Sequence, residues 1–419
     1  MAVKKILKFA LQVAKLRLSI YYYKMINNKK IWLFPYLIIF YEIAIYLSND
    51  MYLPTMPTIA KDLSFSQHQI QNTLSFWFLG ASSLQFILGP ISDRFGRKIV
   101  IVSGAILFFI SSAVCAIAST LDLMLAARFV QGTAICSLVA AYAAIHELYN
   151  TKQAIKLLAL IGAVTILAPA LGPLFGAMIV QFAGWRDIFW LLTAMGILSA
   201  GLLILYMPES NKEKHPLLLK PIFRDYINIL TNRDFIIPNM SYCFLVAVYF
   251  IWIFESPFIM MQTFNTTPMY YGVAQAIIFS CYFVGAAATK FLLDRFSVYL
   301  LIMVSTWITI VGTVLLLLSS IYFNSIHLAI VCMTIISFGT SMLFGPINRI
   351  AIEACKEPMG RRTAVFSTSV SLFGALTGWL LVLIDSRTLV TISALIILCM
   401  LIASLLIFIT NIPDFKDEP

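Results

Sequence analysis

The feature that most constrains this chain is a succession of apolar runs, each long enough to cross a bilayer. A spanning helix needs about 20 mostly apolar residues. Twelve stretches meet that rule, with approximate limits 33–56, 70–91, 99–118, 121–145, 154–181, 187–208, 235–261, 271–293, 299–323, 326–351, 363–384 and 388–411. Composition points the same way. The 419 residues are 61% hydrophobic and 11% charged, against about 45–50% apolar and about 25% charged in soluble domains. Mean hydropathy is +0.91, so the chain cannot cover itself with polar surface and takes lipid as its solvent.

Charge placement orients the spans. An even number of crossings puts both termini on one side, and Lys and Arg accumulate in cytoplasmic loops. Residues 1–30 hold eight Lys or Arg and no acid. The segment 209–233, ESNKEKHPLLLKPIFRDYINILTNR, adds Lys212, Lys214, Lys220, Arg224 and Arg233. Only Lys61, Arg186 and Arg387 fall on the opposite side, with Arg128 and Arg349 inside spans, which leaves 24 of the 29 basic residues on the side of the N-terminus. Both termini are expected in the cytoplasm, in a multi-pass protein of the inner (cytoplasmic) membrane. The net charge of +10 expresses this asymmetry and contact with anionic lipids, not nucleic-acid binding.

The 209–233 segment, interrupted by Pro216 and Pro221, divides the spans six and six. The expected fold class is an all-α membrane protein, with twelve transmembrane helices in two six-helix bundles. The bundles take residues 31–208 and 234–412, joined by a cytoplasmic linker at 209–233 and followed by a short cytoplasmic tail at 413–419. In the basic segment 1–30, Ile6, Phe9, Val13, Leu16 and Ile20 recur at helical spacing, while Leu7, Leu11 and Leu18 break the stripe. An interfacial basic helix and an unstructured basic tail both fit that pattern.

No dinucleotide fingerprint, Walker loop, nucleophile elbow or metal-ligand His pair occurs in the sequence. The four histidines, 68, 146, 215 and 327, fall in or beside predicted loops. The seven cysteines are scattered within or beside spans, without disulfide or zinc spacing. The chain is therefore expected not to be an enzyme and to carry no metal or cofactor. Without a Walker motif, the energy source is an ion gradient or simple downhill flow.

Against this apolar background, charge inside a span is the informative signal. YEIAIYLSNDMYLP, residues 41–54, sets Glu42 and Asp50 within one span. A carboxylate at mid-bilayer costs roughly 2.5–3.5 kcal/mol on insertion scales. The two are eight residues apart, so about 12 Å along the helix and some 80° around it. That spacing does not make a dyad sharing one proton; it suits two stations at different depths of one cavity. Asn49 lies nearly on the face of Glu42, and Tyr46 is one turn before Asp50. A second buried charge, Arg128, sits about two turns into span 4 and shares a face with Gln131. Such an arginine pairs, faces a wet cavity, or snorkels to the interface. An Asp beside it can alternate between paired-and-charged and protonated-and-released.

Three further stretches carry a family resemblance. GPISDRFGRK, residues 89–98, joins spans 2 and 3 with Gly89 and Gly96 at a close turn and Asp93, Arg94, Arg97 and Lys98 placed to pair with neighbouring helix ends. RFVQGTA in span 4 contributes Arg128, Gln131 and Gly132. APALGPLFGA, residues 168–177, places Pro169, Gly172, Pro173 and Gly176 on span 5, a kinked and closely packed helix. These resemble the major facilitator superfamily, whose loop between helices 2 and 3 reads G-x-x-x-D-R-x-G-R-K. The pattern of Glu42, Asn49, Asp50 and Leu-Pro on span 1 is similar to helix 1 of its MdfA-type multidrug/proton antiporters. The likeness covers 33–412 and leaves out the basic N-terminus. It implies that Glu42 and Asp50 are proton and drug sites, and that the helix 5 element marks an antiporter rather than a symporter.

The second half departs from the first. Span 7 carries IWIFESPF, where Glu255 is a third membrane carboxylate at a place that is uncharged in the MdfA-type pattern. It adds negative potential to the cavity or lies at the wet end of the span. The counterpart of the helix 2–3 turn is reduced to LLDRFS, with Asp294 and Arg295 alone. Asn348 and Arg349, near the end of span 10, are expected at the interface or in the cavity. Aromatics such as Tyr46, Tyr142, Phe175, Trp252 and Tyr282 suit lipophilic cations. The expectation is a monomeric secondary transporter that exchanges lipophilic or cationic small molecules for protons by alternating access, with membrane lipid as its surroundings. Export of one endogenous metabolite such as a siderophore, proton-coupled uptake, and a non-transporting lipid-binding role are the alternatives.

Overall fold

The computed structural model describes residues 31–211, 219–384, 388–410 and 412. The basic segment 1–30, Lys212, Lys214, Arg387 and the tail lie outside the described residues.

Several spans begin or break where local chemistry stops one helix and starts the next. Span 1 (Ile31–Asp62) runs past its expected end. Pro54 opens a 3₁₀ turn at Leu53–Thr55, and Pro57 sits at the start of the following turn, positions where a missing N–H is harmless. Span 2 begins at Gln67 behind a capping box in which Ser66 and Gln69 satisfy each other's backbone donors. It then bends by 43° between Gln67–Ser83 and Gln85–Phe95. Span 3 (Arg97–Ile117), span 4 (Leu121–Leu148), span 5 (Thr151–Phe182) and span 6 (Trp185–Tyr206) complete the first half. The second half holds span 7 (Arg233–Thr263), span 8 (Pro268–Leu293), span 9 (Val298–Tyr322), span 10 (Ile326–Glu353), span 11 (Met359–Ile384) and span 12 (Leu389–Ile409). Eleven of these helices are each long and apolar enough to cross a membrane, and the bent pair makes the twelfth. No strand occurs among the described residues.

The linker contains a helix, Leu219–Thr231. Pro221 falls in the first turn, where proline is tolerated. Tyr226 and Ile229 pack on the second half with Phe235, Cys355 and Phe366, and Asp225 pairs with Arg361 at the start of span 11.

Packing follows a repeated pattern. Span 3 lies against spans 4 and 6, and span 2 against span 4; span 9 lies against spans 10 and 12, and span 8 against span 10. Across the middle, span 2 meets span 11 and span 5 meets span 8. The end bearing the 89–98 turn and the linker helix is called the basic end below, and its opposite the far end. At the far end Met51, Tyr52, Leu53, Ser256, Phe258 and Met260 are all buried, so the halves are closed there.

Candidate functional site

A cavity of about 540 Å³ lies between the halves, within the roughly 300–1,000 Å³ of small-molecule sites. Its inner limit is set by Asp50, Phe78 and Ile253, and its mouth by Ile352 and the exposed Thr363 near the basic end. Both halves supply aromatic walls: Tyr46 and Tyr142 from the first, Tyr242, Tyr249, Tyr282 and Phe344 from the second. Asp50 is the single Asp or Glu of the lining, which includes no Lys or Arg. Of the two residues expected at the interface or in the cavity, Asn348 lines the cavity, whereas Arg349 pairs with Glu353 at 2.8 Å on the exposed surface.

Asp50 is 5% exposed and accepts from Asn49 Nδ2 at 3.2 Å. Its position depends on span 5. A Cβ built at Gly172 would stand 2.5 Å from Asp50 Cβ, and one at Gly176 would strike the Met51 carbonyl oxygen. The glycines of APALGPLFGA therefore let span 5 press directly on the turn that holds the acid, and Pro169 joins the cavity wall. Pro173 borders a parallel contact, where Gly272 of span 8 sits against the Pro173–Leu174 backbone.

Glu42 stands behind the wall. It is 0% exposed and accepts from the Tyr142 hydroxyl at 2.9 Å, while Tyr142 itself faces the cavity. Spacing suggests two stations on one cavity, but only Asp50 lines it, and Glu42 sits a side chain behind the wall.

Arg128 is 0% exposed and grips backbone rather than carboxylate. Its Nη1 donates to the Ser48 carbonyl at 2.9 Å and to Gln131 Oε1 at 2.6 Å, and Gln131 donates to Ser112 Oγ at 2.8 Å. The guanidinium also lies 4.5 Å from the centre of the Tyr52 ring, a cation–π contact that helps hold the buried charge. No ion pair joins Arg128 to Asp50 among the described residues. The snorkelling alternative does not describe it either, since the whole side chain is enclosed. Arg128 clamps span 1 two residues before Asp50.

Glu255 lies outside the cavity lining. It is 1% exposed at the closed far end and accepts from Gln67 Nε2 of span 2 at 3.2 Å. Phe175 faces outward and Trp252 is buried, donating to Gln275 Oε1 at 3.3 Å, so neither lines the cavity.

The 89–98 turn is held by charge. Arg97 pairs with Asp93 at 2.5 Å and with Glu147 of span 4 at 2.8 Å. Glu209, just after span 6, accepts from the backbone N–H groups of Arg97 and Lys98 at 2.9 and 3.2 Å, capping span 3. Gly96 takes φ 110°, open to glycine without strain. A Cβ built at Gly89 would meet Val139 at an ordinary 3.8 Å, and Arg94 turns outward over Phe95. Glu147 and Glu209 escaped the sequence reading; the only signal for them was an acid at the basic end of a span.

Comparison with known proteins now decides the family. The model of the Major Facilitator Superfamily matches residues 38–378. The chain belongs to that superfamily. Relatives include the chloramphenicol resistance protein CraA of Acinetobacter baumannii, 29% identical over 81% of this chain and 83% of the relative. The multidrug resistance protein MdtM of Escherichia coli K12 is 29% identical over 79% and 82% of the two chains. The multidrug transporter MdfA of Yersinia pestis is 29% identical over 80% and 83%. Among solved structures, a bacterial homologue of the human lysosomal transporter Spinster superposes with a TM-score of 0.66 at 16% identity, over 92% of this chain and 95% of that one. That likeness establishes the fold alone. This superfamily member is a multi-pass membrane protein with the twelve-helix arrangement expected of it.

Proposed function

We propose that the protein is a multidrug exporter of the inner membrane, a secondary active antiporter that exchanges lipophilic or cationic small molecules for protons. It works as a monomer with both termini and the basic end in the cytoplasm, drawing on the proton gradient and on no bound cofactor. The observation that carries the reading is Asp50, a single carboxylate at the inner limit of an aromatic cavity without basic side chains. The names of the relatives, multidrug and chloramphenicol resistance proteins, support the substrate class.

The chemistry follows from that one acid. A lipophilic cation is held by the aromatic faces and by the Asp50 charge. A proton bound to Asp50 removes the charge, so cation and proton compete, and linkage makes each weaken the other by the same factor. Rocking of the halves then exposes the cavity to the far side, where the cation leaves and a proton replaces it. Glu42, reached through Tyr142, serves cationic substrates as a second acidic contact. Arg128 and Gln131 keep the Asp50 turn in place, and Gly172 and Gly176 let span 5 move with it.

The test is proton release from purified protein on adding tetraphenylphosphonium. Wild type is expected to release protons as it binds. Asp50→Asn should lose the release and weaken cation affinity by about 30-fold, equivalent to about 2 kcal/mol. Binding by wild type without proton release would overturn the coupling scheme. Absence of binding would favour a dedicated exporter of one metabolite.

A further inference from the structure

The inner face of the linker helix, Leu219–Thr231, is fixed to both halves. Pro90 of span 2 has no backbone N–H, so the Phe86 carbonyl one turn earlier loses its helical donor. Tyr226 supplies another: its hydroxyl donates to that carbonyl at 2.8 Å, with the two rings 4.9 Å apart. Its neighbour Asp225 pairs with Arg361 of span 11, and Ile229 packs with Phe235 and Phe366. The helix ends at Thr231 and span 7 starts at Arg233, so a single residue ties it to the end of a membrane span.

These contacts settle which way the opposite face points. Phe223, Ile227 and Leu230, spaced by four and three residues, form an apolar stripe on the outside, with Phe223 67% exposed. Lys220 and Arg224 are exposed too, and each lies three residues before a member of the stripe, so the bases run along its edge. Asp225 is the one acid in the helix sequence, and Arg361 takes it. The outer face is therefore apolar and cationic together. An apolar stripe edged by Lys and Arg suits a lipid surface, where apolar side chains enter the acyl boundary and the bases reach the phosphates.

We propose that this face docks on the anionic phospholipid headgroups of the leaflet at the basic end. Phe223, Ile227 and Leu230 anchor the helix in any bilayer, and Lys220 and Arg224 add affinity for a negative one. The surface potential of such a leaflet falls off within a Debye length, and the joint to span 7 keeps the helix within that range. That this leaflet is the inner one rests on the cytoplasmic placement of the basic end in the exporter reading; the docking itself does not.

The test uses full-length protein in nanodiscs with the same lipid in both leaflets, so orientation, drug and protons do not enter. Hydrogen–deuterium exchange of 219–231 is compared in phosphatidylcholine and in mixed phosphatidylcholine–phosphatidylglycerol discs. In wild type, phosphatidylglycerol should slow exchange about tenfold, the scale set by two bases near an anionic surface, and high salt should erase most of the difference. Lys220→Gln/Arg224→Gln should gain nothing from phosphatidylglycerol, with exchange in span 3 unchanged as the check on its fold. Phe223→Ser should exchange faster in both lipids and keep the salt-sensitive difference. Inorganic phosphate added to phosphatidylcholine discs should protect nothing. Equal exchange of wild type in the two lipids would overturn the proposal without recourse to any variant. So would a phosphatidylglycerol response retained in the double variant, or Phe223→Ser indistinguishable from wild type. Protection by inorganic phosphate would assign the bases to a free anion, and protection that follows the number of protein copies per disc would assign the face to a second copy; either result overturns the lipid.

Discussion

At the far end contacts run through glycine and backbone, with Gly176 against Met51 inside the first half and Gly378 against Ser75 between the halves, whereas the basic end is held by ion pairs such as Arg97–Glu147 at 2.8 Å in the first half and Arg361–Asp225 between span 11 and the linker helix. The far-end contacts are short-ranged and need a dry, close fit, so they are either made or broken. The basic-end pairs lie near water, where charges are screened and partners exchange at small cost. A bundle that must shut one end while leaving a cavity open toward the other is served by that division. The cavity mouth at Thr363 and Ile352 lies on the ionic side, and the seal on the steric side.

The comparison breaks most readily at span 5. Gly176→Val puts methyl groups into the Met51 carbonyl, a backbone atom that no rotamer change can move aside. A loss of about 1–3 kcal/mol is expected, insensitive to salt. Thermal unfolding in detergent at low and high salt checks both points, and a fully stable variant would show that the far end is not sterically set. Next comes Arg97→Met. The arginine is largely buried, but Asp93 and Glu147 are partly wet, so the loss should be about 2 kcal/mol rather than the larger figure for an enclosed pair. High salt should narrow the gap to wild type. Equal losses at all ionic strengths would remove the ionic character claimed for this end. The smallest change is Glu353→Gln, which breaks the exposed pair with Arg349. Below about 0.5 kcal/mol is expected, and a larger shift in the same assay would mean that exposed pairs at the basic end matter individually.

Much of the site was legible as chemistry and little of it as contact. Asp50, Tyr46 and Asn49 were readable because polar groups in an apolar run have to be used or paired, and all three line the cavity. Spacing suggested that Glu42 shares the cavity with Asp50, but Tyr142 stands between Glu42 and the cavity. Arg128 was recognisable as a charge within a span, yet its enclosure and its choice of the Ser48 carbonyl over Asp50 depend on how span 4 crosses span 1. Glu255 could be read as a membrane acid. Its distance from the cavity follows from the closure of the far end, which periodicity along one helix does not encode. The tyrosines of the second half looked like any membrane aromatics until their side chains converged.

By itself the sequence determined the all-α membrane class, the span count and the approximate limits of the spans. Each depends on residues within one turn or one span: about 20 apolar side chains, a capping Ser or Asn, a proline or glycine at a break. The tertiary structure decided which acid faces the cavity, which partners the arginines take and which end is shut. Those outcomes depend on residues far apart in the chain, such as Gln67 and Glu255 or Arg97 and Glu147, meeting at distances near 3 Å. A hydrogen bond or ion pair exists only at such a distance, and helix packing alone sets it.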